Sequence, residues 1–187
     1  MILVTTVGTA CGSDRTGGPR GEPSAVVGAA PDRTVAAGRA RFEASAPGAV
    51  RSGEVDFEGS GPAGDQPPTG EHPELDDPRA MVDLVRGALA VESYGGALVR
   101  GASTFRYEAV INVERAVVEA PAARRAAMEA FARRLGVPAF YADIWVDGEG
   151  RLRRVQLPLE KTTERPEARS KRIPEFVTVD FFGFPEG

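Results

Sequence analysis

The chain reads as an α+β protein: a curved antiparallel sheet covered by two helices and preceded by a disordered N-terminal tail. Three observations predict this. Period-2 alternation of apolar and polar residues recurs between turn signals, as half-buried antiparallel strands require. Two segments instead repeat apolar residues at three and four, one opened by Asp77-Pro78 and the other by Pro121. The stretch before Arg39 is rich in Gly, Pro and Ala and has no sustained period.

Length and charge narrow the class. With 187 residues and 42% apolar content the chain can bury one core. No run reaches the roughly 18 consecutive apolar residues of a membrane-spanning helix. A formal net charge of −4 gives no basic face for a polyphosphate backbone, so nucleic acid is not an expected partner.

Residues 1 to 11 form a short apolar stretch ending in Thr9-Ala10, directly before Cys11, the single cysteine. Secretory signals end on small residues, and bacterial lipoproteins carry lipid on the cysteine that follows the cleavage point. Thr9-Ala10-Cys11 resembles the end of such a lipobox, although Gly8 stands where Leu is usual and no Lys or Arg precedes the apolar run. Cys11 is the expected lipidation site; the other reading is an unstructured terminus with an incidental thiol. A lone cysteine cannot close an internal disulfide. Residues 12 to 38 are expected as a flexible tether and residues 39 to 187 as the folded domain.

Within that domain Ala40, Phe42 and Ala44 alternate with polar neighbours, and Val55 and Phe57 do so after the Ala46-Pro47-Gly48 turn, which makes a hairpin. Residues 59 to 76 are Pro/Gly-rich and hold the single histidine, His72. Pro73 breaks the register that Glu71 and Glu74 would need to act with it, so a solvated loop histidine is expected. From Asp77-Pro78, Met81, Leu84, Val85 and Ala88 recur on one helical face while Arg79, Asp83 and Arg86 face away, to an end near Ala90. Gly95-Gly96 marks a hairpin turn between strands over 91 to 94 and 97 to 99. Phe105, Tyr107, Ala109, Ile111 and Val113 then form the cleanest strand, opposite Arg106, Glu108, Asn112 and Glu114.

After Pro121, the residues Ala123, Ala127, Met128, Phe131 and Leu135 make one helical stripe that ends at Gly136. The opposite face, Arg124, Arg125, Glu129 and Arg133, is expected to be solvated. A hairpin from 140 to 160 follows, with Phe140, Ala142, Ile144 and Val146 on one face and Tyr141, Asp143, Trp145 and Asp147 on the other. Asp147-Gly148-Glu149-Gly150 is its turn. Ile144 and Val146 look buried, whereas Trp145 is the side chain best suited to a pocket rim. A last strand over 173 to 182 sets Val177, Val179 and Phe181 against Thr178 and Asp180.

No enzyme motif with mechanics occurs: no Gly-rich phosphate loop with its Lys, no Gly-x-Ser-x-Gly elbow, no His-Glu-x-x-His. The carboxylate pairs Asp143 with Asp147 and Asp76 with Asp77 read as strand and cap features. The chain is therefore expected to be no enzyme, with no catalytic residue, no metal site and no cofactor.

The Asp77-Pro78 helix, the Gly-Gly hairpin and Val99-Arg100-Gly101-Ala102-Ser103-Thr104-Phe105-Arg106-Tyr107 come in an order that continues through a helix to Ile144-Trp145-Val146-Asp147-Gly148-Glu149-Gly150-Arg151-Leu152-Arg153-Arg154-Val155. With the terminal Val177-Thr178-Val179-Asp180-Phe181-Phe182-Gly183-Phe184-Pro185, this order resembles actinobacterial lipoproteins of the LolA/LppX/LprG-like group. The resemblance covers about residues 77 to 187, with a weaker echo at Gly53 to Phe57 and at Cys11. It implies a half-open barrel with helices over its mouth, a cavity for acyl chains, and a role in moving lipids or lipoproteins across the cell envelope. Members have several more strands before the Asp-Pro helix, so strands are expected to be missing around 59 to 76, leaving edges unpaired.

On that basis an apolar pocket would be lined by Met81, Leu84 and Val85 of the first helix and by Met128 and Phe131 of the second. The sheet would add Phe105, Tyr107, Ile111, Phe140, Ile144, Val179 and Phe181. The expected partners are a lipid or acyl chain, the membrane through a palmitate-type anchor on Cys11, and an envelope protein. The expected location is the extracytoplasmic face of the cell membrane. The alternative is a non-catalytic envelope lipoprotein, structural or signalling, that binds a protein through its sheet edge or loop.

Overall fold

A computed structural model describes residues 19, 21 to 59, 72 to 160 and 175 to 185. Cys11, the segment expected to lack strands over 60 to 71, and the start expected for the last strand at Ile173 lie outside these residues. The elements run α1 (Pro23–Ala36), β1 (Arg39–Ala46), β2 (Ala49–Asp56), α2 (Pro73–Asp76), α3 (Pro78–Val85), β3 (Ala88–Val99) and β4 (Ala102–Asn112). They continue α4 (Val113–Glu119), α5 (Arg125–Leu135), β5 (Ala139–Asp147), β6 (Leu152–Pro158) and β7 (Phe176–Phe182).

The alternating segments pair into one antiparallel sheet of order β2-β1-β7-β6-β5-β4-β3. Among the described residues it is not closed, and β2 and β3 are its edges. This is the half-open architecture that the family resemblance implies. Because side chains alternate across a strand, register carries one apolar row through neighbouring strands: Tyr107, Ile144, Val155, Val179 and Ala44 are successive cross-strand partners, and all are buried. Ile111 pairs with Phe140 in the same inner layer. The helices cover this face, and one continuous core joins Val27, Met81, Leu84, Met128 and Phe131 to it.

The outer face is polar, and one cross-strand row ties it together. Arg106, Trp145, Arg154, Asp180 and Glu43 are successive register partners on β4, β5, β6, β7 and β1. Arg106 and Arg154 lie over the Trp145 ring at 5.6 and 5.5 Å, while Arg154 holds Asp180 through two hydrogen bonds of 2.6 and 2.9 Å. Trp145 is thus roofed by guanidiniums on the side away from the helices, and the choice of face left open by the sequence falls to Ile144 and Val146 as the inner pair.

Several expectations are corrected. The tether predicted over 12 to 38 is helical from Pro23 to Ala36, and its residues Val26, Val27 and Ala30 are buried. Gly28 and the internal Pro31 concealed it, because both read as helix breakers while burial against the core favours the helix. The buried Thr34 hydroxyl donates to the Ala30 carbonyl and accepts the Leu152 N–H at 2.8 Å, docking α1 on β6. Among the described residues there are therefore five helices rather than two.

The first predicted helix stops at Val85, not near Ala90, because Gly87 must lie against α4: a Cβ there would sit 2.2 Å from the Asn112 carbonyl oxygen. Gly95-Gly96 is not a hairpin turn. β3 runs through it with register shifts between Leu89 and Glu92 and between Ser93 and Gly95, where Gly95 takes φ +88°. Such bulges twist an edge strand away from unwanted pairing. The turn falls instead at Arg100-Gly101, both at positive φ, and the Arg100 side chain is fixed by Asp180, Glu43 and the Phe182 ring. Val113 begins α4 rather than ending a strand, since Asn112 caps it by accepting the Arg115 N–H at 2.7 Å. Pro121 lies between α4 and α5, and the second predicted helix opens only at Arg125.

Burial raises the Tyr107 phenol above its ordinary value of 10.0. A raised folded-state pKa contributes stability that is intact below 10 and falls as pH climbs through it. Urea midpoints should therefore decline as pH climbs above 10.0, and Tyr107→Phe should flatten that decline. An unchanged alkaline limb in the variant would assign it to other groups.

Candidate functional site

Between α3 and α5 the helical cover opens as a cleft of about 220 Å³. α3 begins there because Asp77 caps it, accepting the Arg79 N–H at 3.0 Å, with Pro78 in the first turn. The Arg79 side chain folds back onto the same carboxylate, with Nε 2.9 Å from Oδ1 and Nη2 3.0 Å from Oδ2, and donates Nη1 to the Gly59 carbonyl. α5 ends at Gly136 in the left-handed region at φ +67°, leaving Arg133 and Arg134 in its last turn.

The polar end of the cleft is a buried network. Asp83 accepts Arg124 Nε at 2.7 Å and Nη2 at 2.9 Å, and also Arg86 Nε at 3.2 Å. Arg124 Nη1 donates to the Phe57 carbonyl at 2.8 Å, and Arg86 Nη1 to Asp32 on α1 at 2.7 Å. Asp83 is 1% exposed. The hydrogen bond to Asp83 raises Arg124 above the ordinary guanidinium range; burial opposes this, and the Asp83 and Asp77 charges add to it. The guanidinium is thus permanently charged. Asp83, Arg86 and Arg124, expected on the solvated sides of two helices, instead meet in this network, and Arg79 is buried beside it on Asp77, which is a second correction to the helical readings.

The rest of the cleft is apolar, with Ala80, Ala127, Ala130, Met128 and Phe131 lining it and Arg134 beside them. Of the twelve residues expected to line an apolar pocket, Met128 and Phe131 lie at this cleft. Met81, Leu84, Val85, Tyr107, Ile111, Phe140, Ile144, Val179 and Phe181 are brought together beneath it in the core, and Phe105 packs against that core from a half-buried position. His72 is half-buried before α2 and engaged. Asp76 and Asp147 each hold arginines: Arg51 and Arg134 on the first, Arg151 and Arg153 on the second. Among the described residues no group of three His, Cys, Asp or Glu side chains could hold a metal ion.

Sequence reasoning missed the cleft's polar residues because their meeting is tertiary. Asp83 and Arg124 are far apart in the chain, and each taken alone looks like a solvated charge on an amphipathic helix. The one local signal was Asp83 with Arg86 at i, i+3, which fits an exposed pair equally well.

Fold and site together define a half-open antiparallel barrel with a helical cover that is cleft at its α3–α5 seam. Among solved structures the chain is similar to LprF from Mycobacterium bovis, with a TM-score of 0.52 at 11% identity over 91% of this chain and 99% of that one. The Mycobacterium tuberculosis lipoprotein LppX matches with a TM-score of 0.48 at 12% identity, over 87% of this chain and 97% of that one. At this identity the likeness to LprF is one of fold. No protein-family model matches the chain, and no curated protein matches it in sequence.

Proposed function

We propose that this domain is an extracytoplasmic, lipid-anchored carrier that reversibly buries an acyl chain between its sheet and its helical cover. The observation that carries the reading is the cleft: among the described residues the cover parts there, and its apolar lining, Met128 and Phe131, is continuous with the core. Burying a chain there is favourable by about 0.8 kcal/mol per methylene, with α3 and α5 acting as the lid. The half-open fold, held in common with LprF, supports such use, since an open sheet under separable helices can widen without breaking strand pairs. Thr9-Ala10-Cys11 supports the anchor.

Native mass spectrometry of protein purified without detergent tests the carrier. Copurified lipid is the expected result, and a clean apo mass together with no uptake of a fluorescent fatty acid would sink it. For the anchor, Cys11→Ala should move the protein from the membrane fraction to the soluble fraction, and unchanged fractionation would refute lipidation. The competing reading, an anchored domain that binds a protein through its sheet edge, is favoured by Leu98 and Tyr94 on edge strand β3, which are 72% and 45% exposed.

A further inference from the structure

We infer that the α3–α5 cleft is the headgroup port of the domain, taking an amphiphile whose head carries a carboxylate or a phosphate, with Arg134 as the guanidinium that reads it. The inference rests on the acyl-chain reading above and names the chemistry of the ligand. Charge is its first support. Around the cleft Asp76 is shared by Arg51 at 3.3 Å and Arg134 at 3.4 Å, Asp77 is taken by Arg79, and Asp83 by Arg124. Among the described residues that line the cleft, three guanidiniums, Arg79, Arg124 and Arg134, face two carboxylates, Asp77 and Asp83. The additional cation on Asp83, Arg86, brings Asp32 as its own partner.

Geometry singles out Arg134. Arg79 and Arg124 each place Nε and both terminal nitrogens on protein acceptors. The Arg134 side chain is 51% exposed and touches Asp76 through Nη1 alone, at the long end of hydrogen bonding. A guanidinium has five N–H donors in a planar fork that suits a carboxylate or phosphate. Most of those on Arg134 are not engaged within the described residues, and displacing a half-exposed pair costs little.

The apolar lining makes the ligand an amphiphile rather than a free anion. Met128 and Phe131, each 2% exposed, lie next to the cationic rim. The cleft, at about 220 Å³, is smaller than the ~300 Å³ at which pockets for whole small ligands begin, so it accommodates a head and its first methylenes. The remainder of the chain follows into the core, where Met128 is the side chain most able to change its packing.

The test compares three probes on the full chain: a fluorescent fatty acid, its methyl ester, and inorganic phosphate as competitor. Wild type should bind the acid about tenfold more tightly than the ester, the size expected of one charge-assisted contact. Arg134→Gln should abolish that preference at an unchanged melting temperature, and Arg134→Lys should restore part of it. Equal binding of acid and ester by wild type, or an undiminished preference in Arg134→Gln, would overturn the port while leaving the acyl reading standing. Uptake of neither acyl probe would overturn both. Phosphate binding without acyl uptake would mark a free-anion site and likewise overturn the port.

Discussion

Asp83→Ala should lower the unfolding free energy by about 3–5 kcal/mol, read as a shift of the urea midpoint at constant slope. The reason lies in what the substitution leaves behind. Arg124, with its side chain 17% exposed, would keep its charge with its carboxylate gone, and Arg86, 11% exposed, would keep Asp32 but lose Asp83. The loss is therefore an uncompensated-charge effect more than a lost contact, and this can be separated experimentally. Asp83→Leu combined with Arg124→Met should recover much of the stability, because an apolar pair of similar volume avoids the desolvation that the ion pair has to offset. If the double variant were as unstable as the single one, the network would be holding α3 to the loop before α5 by geometry that apolar packing cannot supply.

Phe131→Ala should cost about 3–5 kcal/mol, since the ring is buried at the junction of α5 with the core and its removal leaves a cavity there. Here stability and binding are expected to part. The same deletion enlarges the lining of the α3–α5 cleft, so fatty-acid uptake per folded molecule should rise while the melting temperature falls. A loss below about 1 kcal/mol would mean that α5 packs loosely and the lining collapses into the space. Decreased uptake by fully folded variant would remove Phe131 from the binding path.

The two effects differ in how far they could be foreseen. Phe131 and Met128 stand on an apolar stripe with a helical period, and such a stripe has to face a core, so their burial followed from spacing. The inner faces of β1, β4, β5 and β7 were legible for the same reason: with a period of two, Phe42, Tyr107, Ile144 and Val179 can share the covered face only if their neighbours do not. The turns at Pro47-Gly48 and Asp147 to Gly150 were marked by residues that suit tight turns, and the structure adds that the Asp147 carboxylate accepts the N–H groups of Glu149 and Arg151.

Local pattern could not locate interactions whose partners are distant in the chain. α1 carries Gly28 and Pro31 and little periodicity, and it is helical because Val27, Ala30 and Thr34 find the sheet and its neighbouring helices. Gly95-Gly96 has turn composition, yet it continues the ladder, paired with Arg106 and Phe105 just after a register shift between Ser93 and Gly95. Asp83 and Arg124 each look like surface charges until folding places them within about 3 Å of one another. The sequence by itself determined an antiparallel sheet with one covered face and most of the apolar residues that fill the cover. Tertiary structure alone decided where the cover is cleft and which arginines line the cleft, because electrostatic pairing depends on distance in space and leaves no period in the chain.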